Sequence, residues 1–100
     1  MIARIWHGVV PLEKAEQYLK LMRTVAIPDY RCIPGNKLAL VLQRSEGGAA
    51  HFTTLTLWES LESIRAFAGE DISRAKYYDF DSSFLVELEP TVHHFDVYDS

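Results

Sequence analysis

Apolar residues of this chain recur with two periods, and the alternation between them predicts its elements. Residues 2–9, Ile-Ala-Arg-Ile-Trp-His-Gly-Val, are rich in β-branched and aromatic side chains with no breaker before Gly8, and predict a first strand. Pro11 suits the first turn of a helix, where its missing N–H would be unpaired anyway. From there Leu12, Ala15, Leu19, Met22 and Ala26 recur at helical spacing, opposite Glu13, Lys14, Glu16, Gln17, Lys20 and Arg23. This predicts a helix from Pro11 to Ile27, stopped by Pro28 and followed by a loop over residues 28–35. The apolar run Leu38 to Leu42 centres a second strand over 36–46, Gly47-Gly48 marks a hairpin, and residues 50–58 return as a third strand. Ser60 is placed to cap a helix with Leu61, Ile64, Phe67 and Ala68 on one face and Gly69 as its stop. Asp71 is placed to cap a further short helix through Tyr78. Residues 79–89 read as acidic and irregular, with Phe84-Leu85-Val86 a short element, and 91–98 as the last strand.

This order predicts one α+β domain over residues 1–100. It is the ferredoxin-like β-α-β-β-α-β pattern, a four-stranded antiparallel sheet with helices on one face. The other face is apolar too. Leu38, Leu40 and Leu42 alternate with Ala39 and Val41, and Leu55 and Leu57 with Phe52 and Trp58. Ala3, Ile5 and His7 alternate with Ile2, Arg4 and Trp6, and Phe95 and Val97 oppose Val92 and Tyr98. A sheet with one solvated face alternates apolar with polar. This one does not, and leaving its second face bare exposes a larger apolar patch than monomers tolerate. The pattern predicts a homodimer through the free sheet face.

Composition narrows the function classes. The net charge is −4, and the basic residues are dispersed singly without forming a stripe, so the electrostatic footprint of nucleic-acid binding is missing. The single cysteine, Cys32, rules out a disulfide within the chain and points to a reducing compartment. No apolar run approaches the ~20 residues that span a bilayer. The expectation is a soluble cytoplasmic protein without a membrane partner.

The opening Met-Ile-Ala-Arg-Ile-Trp, the loop Ile33-Pro34-Gly35, the segment Thr54-Leu55-Thr56-Leu57-Trp58-Glu59-Ser60 and the following Ala66-Phe67-Ala68-Gly69-Glu70-Asp71 resemble the antibiotic biosynthesis monooxygenase (ABM) family. The resemblance implies a dimeric α+β barrel with a ligand pocket in each subunit, between sheet and helices. It implies one of several activities: cofactor-independent oxygenation of phenols or quinols, haem degradation, or a role without catalysis. Haem-degrading members place an Asn, a Trp and an iron-ligating His where, by spacing from Trp58, this chain has His7, Phe67 and Tyr77. None of the three matches, which disfavours haem, although a Tyr can ligate haem iron.

The leading reading is a cofactor-free monooxygenase for a small phenolic or quinol substrate, requiring no cofactor and no metal. The alternatives are a non-enzymatic small-molecule-binding or stress-response dimer, and a haem-binding or haem-degrading protein. His7 is the candidate catalytic base, expected at the mouth of a sheet–helix pocket, because a neutral imidazole removes a phenolic proton near neutrality. Trp58, Phe67, Tyr77 and Tyr78 are the candidate substrate-binding residues, as an aromatic wall and hydroxyl donors, with core packing as the competing role of each. Arg65 and Arg74 are weaker candidates for an anionic group. His93 and His94, as strand neighbours, face opposite sides and cannot chelate one metal, and no metal-ligand spacing occurs. His51 is expected to be exposed, Cys32 a bystander, and the acids Glu70, Asp71, Asp79 and Asp81 a solvated surface.

Overall fold

The computed structural model describes residues 1–87 and 89–98. Four strands, β1 (Ile2–Pro11), β2 (Asn36–Glu46), β3 (Ala49–Trp58) and β4 (His93–Asp96), form one antiparallel sheet in the order β2-β3-β1-β4. This is the ferredoxin-like arrangement the sequence predicts. The helices are α1 (Ala15–Leu21), α2 (Ile27–Cys32), α3 (Leu61–Ala68) and a single turn, α4 (Asp81–Phe84). Ser60 caps α3 as expected, its hydroxyl accepting from the Ser63 N–H. No helix among the described residues is long and apolar enough to cross a membrane.

Three boundaries differ from the sequence reading. Pro11 ends β1 rather than opening a helix, and a 3₁₀ turn over Leu12–Lys14 leads into α1. Pro28 does not stop the helical run. Residues Met22–Ala26 form a π-helical turn, so the Ile27 N–H reaches back five residues to the Met22 carbonyl. That wider turn restarts the helix at Ile27, and Pro28 falls in the first turn of α2, where no N–H is needed. The 28–35 loop therefore shrinks to a few residues after Cys32. The helix from Asp71 to Tyr78 does not form. Asp71 instead accepts from the N–H and hydroxyl of Ser73 in a local turn, and the segment pairs with the chain before β4 through Ala75 N–H to Pro90 and Val92 N–H to Ser73. Once its N–H groups are used there, a helix cannot form.

Burial alternates along the sheet and defines its two faces. Arg4, Trp6, Gly8 and Val10 of β1, and Ala50, Phe52, Thr54, Thr56 and Trp58 of β3, face the helices and are buried. Tyr18, Met22, Ala26, Ile27, Tyr30, Ile64 and Phe67 pack onto them. The opposite face carries Ala3, Ile5, Leu38, Leu40, Leu42, Leu55, Leu57, His93 and Phe95. Of these, Leu40, Leu42 and Phe95 are exposed, so the free face is as apolar as the pattern predicts.

Gly8 continues β1 because the Trp6 indole lies across it. A Cβ at position 8 would sit 2.5 Å from Trp6 Cη2 and 2.8 Å from Leu85 Cδ2. Gly8→Ala is expected to cost about 2 kcal/mol through overpacking, read as a lower urea midpoint. An unchanged midpoint would show that Trp6 and Leu85 yield freely.

Candidate functional site

The signal for a site is an arginine on the inward face of an apolar strand. Arg4 is 4% exposed, and its guanidinium is held between the sheet and the segment following α3. It donates to the carbonyls of Ile72 and Arg74 and to His94 Nε2, the last at 3.1 Å. A guanidinium only donates, so His94 accepts and is neutral in this contact. Burial draws the Arg4 pKa below its ordinary value, and burial with the Arg4 charge does the same to the His94 imidazole. An imidazole held neutral by folding makes stability rise with pH as pH climbs toward the ordinary value of 6.5, because the unfolded chain binds the extra proton. His94→Gln is expected to flatten the chemical-denaturation midpoint against pH below that value. A slope unchanged by the substitution would assign it to another group.

Arg4, Trp6, Tyr30, Thr54, Thr56, Phe67 and Lys76 enclose a cavity of about 10 Å³, room for about one water. Trp6 is 6% exposed, yet its indole Nε1–H finds no hydrogen-bond partner among the described residues. The ring of Phe67 has the Arg4 guanidinium 5.7 Å from its centroid on the strand side and the Lys76 ammonium at 4.4 Å. Lys76 also lies 3.5 Å from Asp29 and within cation–π range of Tyr78. Desolvation pushes the Tyr30 hydroxyl up to about 12, so it is a neutral phenol at any physiological pH. The site is therefore an aromatic slot with two cations and an unused indole donor.

The residues singled out from sequence fall around this slot unequally. Phe67 forms one wall. Trp58 lies behind it, fully buried, 5.6 Å from Phe67 and with its Nε1–H bonded to Thr56 Oγ1, so its place is in the core. Tyr78 stacks on Phe80 and donates to Asp29, which secures the far side of Lys76. The Tyr77 hydroxyl donates to the Glu89 carbonyl and does not line the cavity. His7 is not at the mouth of a sheet–helix pocket. It shares its parity with Ala3 and Ile5, and that parity is the helix-free face. Of the acids read as a solvated surface, Asp81 is instead 3% exposed and accepts from the Tyr18 hydroxyl and the Tyr78 N–H. Cys32 is exposed. Arg4, Trp6, Tyr30 and Lys76 escaped the sequence reading. Only Arg4 left a signal there, a charge in register with Trp6 on an otherwise apolar strand.

No family model matches the sequence, and no curated protein matches it significantly. Solved structures do match its fold. A Nitrosomonas europaea protein carrying the name antibiotic biosynthesis monooxygenase superposes with a TM-score of 0.72 at 17% identity, over 97% of this chain and 98% of that one. One from Deinococcus radiodurans bearing the same name gives 0.69 at 18%, over 100% of this chain and 95% of that one. A haem degrader from Mycobacterium tuberculosis, with two haems in its active site, gives 0.65 at 18%, over 100% and 98%. The chain thus has the fold of the antibiotic biosynthesis monooxygenase structures, and its resemblance to that family is supported in three dimensions.

Proposed function

We propose that the chain is a cofactor-independent monooxygenase of the ABM type. In this reading a small phenolic or quinol substrate lies in the Arg4–Trp6–Lys76 slot with its oxygen toward those donors. The carrying observation is the buried Trp6 N–H, which has no partner among the described residues, beside a buried guanidinium. A buried donor without an acceptor costs about 1–3 kcal/mol, and a ligand oxygen removes that cost. Two nearby cations favour the phenolate over the phenol. The phenolate is the form rich enough in electrons to reduce O₂ directly. For an anthrone-type substrate, the ring CH₂ becomes C=O with one oxygen atom of O₂, and the other oxygen leaves with the two hydrogens as water. His7 faces away from this cavity, so the phenolic proton goes to solvent. Because the cavity is small, Lys76 and the irregular segment 69–80 must swing outward to admit a ring. Oxygen uptake with a panel of anthrones and quinols is the test. Uptake that Arg4→Met abolishes supports the reading, and no uptake with any of them counts against it.

The smallness of the cavity favours a second reading, a non-enzymatic small-molecule-binding dimer of the same fold. Binding of an anthrone without oxygen consumption separates the two. The residues present do not fit haem. The Tyr77 hydroxyl is engaged by the Glu89 carbonyl, and Phe67 is packed between Tyr30 and Trp58. Haemin is expected to show no shifted Soret band that Tyr77→Phe abolishes.

The exposed Leu40, Leu42, Phe95 and Val97 support the homodimer through the free sheet face, in keeping with a cytoplasmic protein whose only macromolecular partner is itself. Light scattering should return twice the 11.4 kDa of one chain. A stable monomer would remove the dimer.

A further inference from the structure

The cavity beside Arg4 is rich in donors and poor in acceptors. Arg4 is buried and takes part in none of the ion pairs among the described residues. Its charge rests on the carbonyls of Ile72 and Arg74 and on the neutral His94 ring. A guanidinium carries five N–H groups, and these three contacts leave two to spare. The Trp6 N–H is a further buried donor, without a partner among the described residues. Lys76 adds an ammonium, whose contact with the partly exposed Asp29 is a loose 3.5 Å. Against these donors, the side-chain acceptors on the lining are the hydroxyls of Tyr30, Thr54 and Thr56. Thr56 Oγ1 already accepts from the Trp58 N–H. No acidic side chain lines the cavity. A buried charge is ordinarily balanced by an opposite one, and here the lining supplies none. A water would need acceptors for its own two hydrogens. A body that only accepts would satisfy every donor at once.

We propose that this cavity is a binding site for one small monovalent inorganic anion, with chloride as the occupant. The ion sits among the Arg4 guanidinium, the Trp6 N–H and the Lys76 ammonium, with the Phe67 ring as its apolar wall. At about 10 Å³ the cavity takes a body of one atom and shuts out a tetrahedral anion such as sulfate. Chloride balances the Arg4 charge in the resting protein, and an anionic substrate oxygen has to displace it. The site is shared with the oxygenase reading, but binding of the ion requires no turnover. A protein that takes chloride and oxidises no anthrone would keep this proposal and lose that reading.

The probe is sodium chloride, titrated into chloride-free buffer as sodium sulfate is withdrawn to hold the ionic strength constant. In ¹H–¹⁵N correlation spectra the Trp6 indole peak should move along a single-site saturation curve while the Trp58 peak stays in place. The ³⁵Cl resonance should broaden with protein and sharpen again on addition of bromide. Trp6→Phe keeps a ring in the core and removes the N–H, and should weaken chloride about tenfold by ³⁵Cl linewidth. Lys76→Gln, at a partly exposed side chain, should weaken it about fivefold. Arg4→Met should abolish saturation, and if that variant does not fold, the other two decide. An equal response to sulfate would mean that surface charge is merely being screened. No response to chloride would mean that water serves these donors. Either result, or full chloride affinity in Trp6→Phe or Arg4→Met, would overturn the proposal.

Discussion

Arg4→Met is expected to lower oxygen uptake on an anthrone by about a hundredfold or more, the usual effect of deleting one preorganised donor to a developing oxyanion. Arg4 holds its place through three contacts, to the carbonyls of Ile72 and Arg74 and to His94. Methionine fills similar volume but leaves all three acceptors unpaired, so a stability loss of about 2 kcal/mol should accompany the activity loss. Arg4→Lys separates the two effects. It restores the charge without the planar fork that reaches both carbonyls at once, so it should recover part of the activity and little of the stability. Uptake measured under saturating substrate, alongside urea melts of all three proteins, resolves them. If Arg4→Met kept wild-type uptake, the oxyanion would have to lie elsewhere.

Trp58→Ala should produce the largest loss of stability, about 4 kcal/mol. Trp58 is fully buried at the end of β3, packs against Phe67 and bonds Thr56 through its indole. Thr56 in turn donates to the Arg4 carbonyl, so the cavity left by the indole opens directly beneath the site. For a chain of this length the loss corresponds to roughly 20 °C in Tm. Calorimetry of Trp58→Ala and Trp58→Phe checks it. A drop of only a few degrees in the alanine variant would mean that the core closes over the missing ring.

The fold was legible because strands announce themselves twice, by β-branched composition and by parity. Leu38, Leu40 and Leu42 against Ala39 and Val41 place the central side chains of β2 on their correct faces, while the bulge between Asn36 and Leu38 breaks the alternation at the start of the strand. Parity does not say which face the helices cover. For that reason alone the expected place of His7, at a sheet–helix pocket, differs from its place on the helix-free face, while its grouping with Ala3 and Ile5 holds. Pro28 misled because a π-helical turn at Met22–Ala26 is set by tertiary packing and leaves no compositional mark. Asp71 misled because its side chain served a local turn while the backbone of residues 73–75 paired with the chain before β4. The cavity was the least legible part. Tyr30 and Lys76 reach it from segments far apart in sequence, and their convergence on Phe67 is a product of the fold.

The chain has two tryptophans, and that makes the central claim directly measurable. Each indole N–H gives one cross-peak in a ¹H–¹⁵N correlation spectrum. The Trp58 N–H already donates to Thr56, whereas the Trp6 N–H has no acceptor among the described residues. Titration with a hydroxylated anthrone should move the Trp6 indole peak downfield as the ligand oxygen accepts its proton, while the Trp58 peak holds its position. An unmoved Trp6 peak at saturating ligand would contradict the assignment of this slot as the oxyanion site.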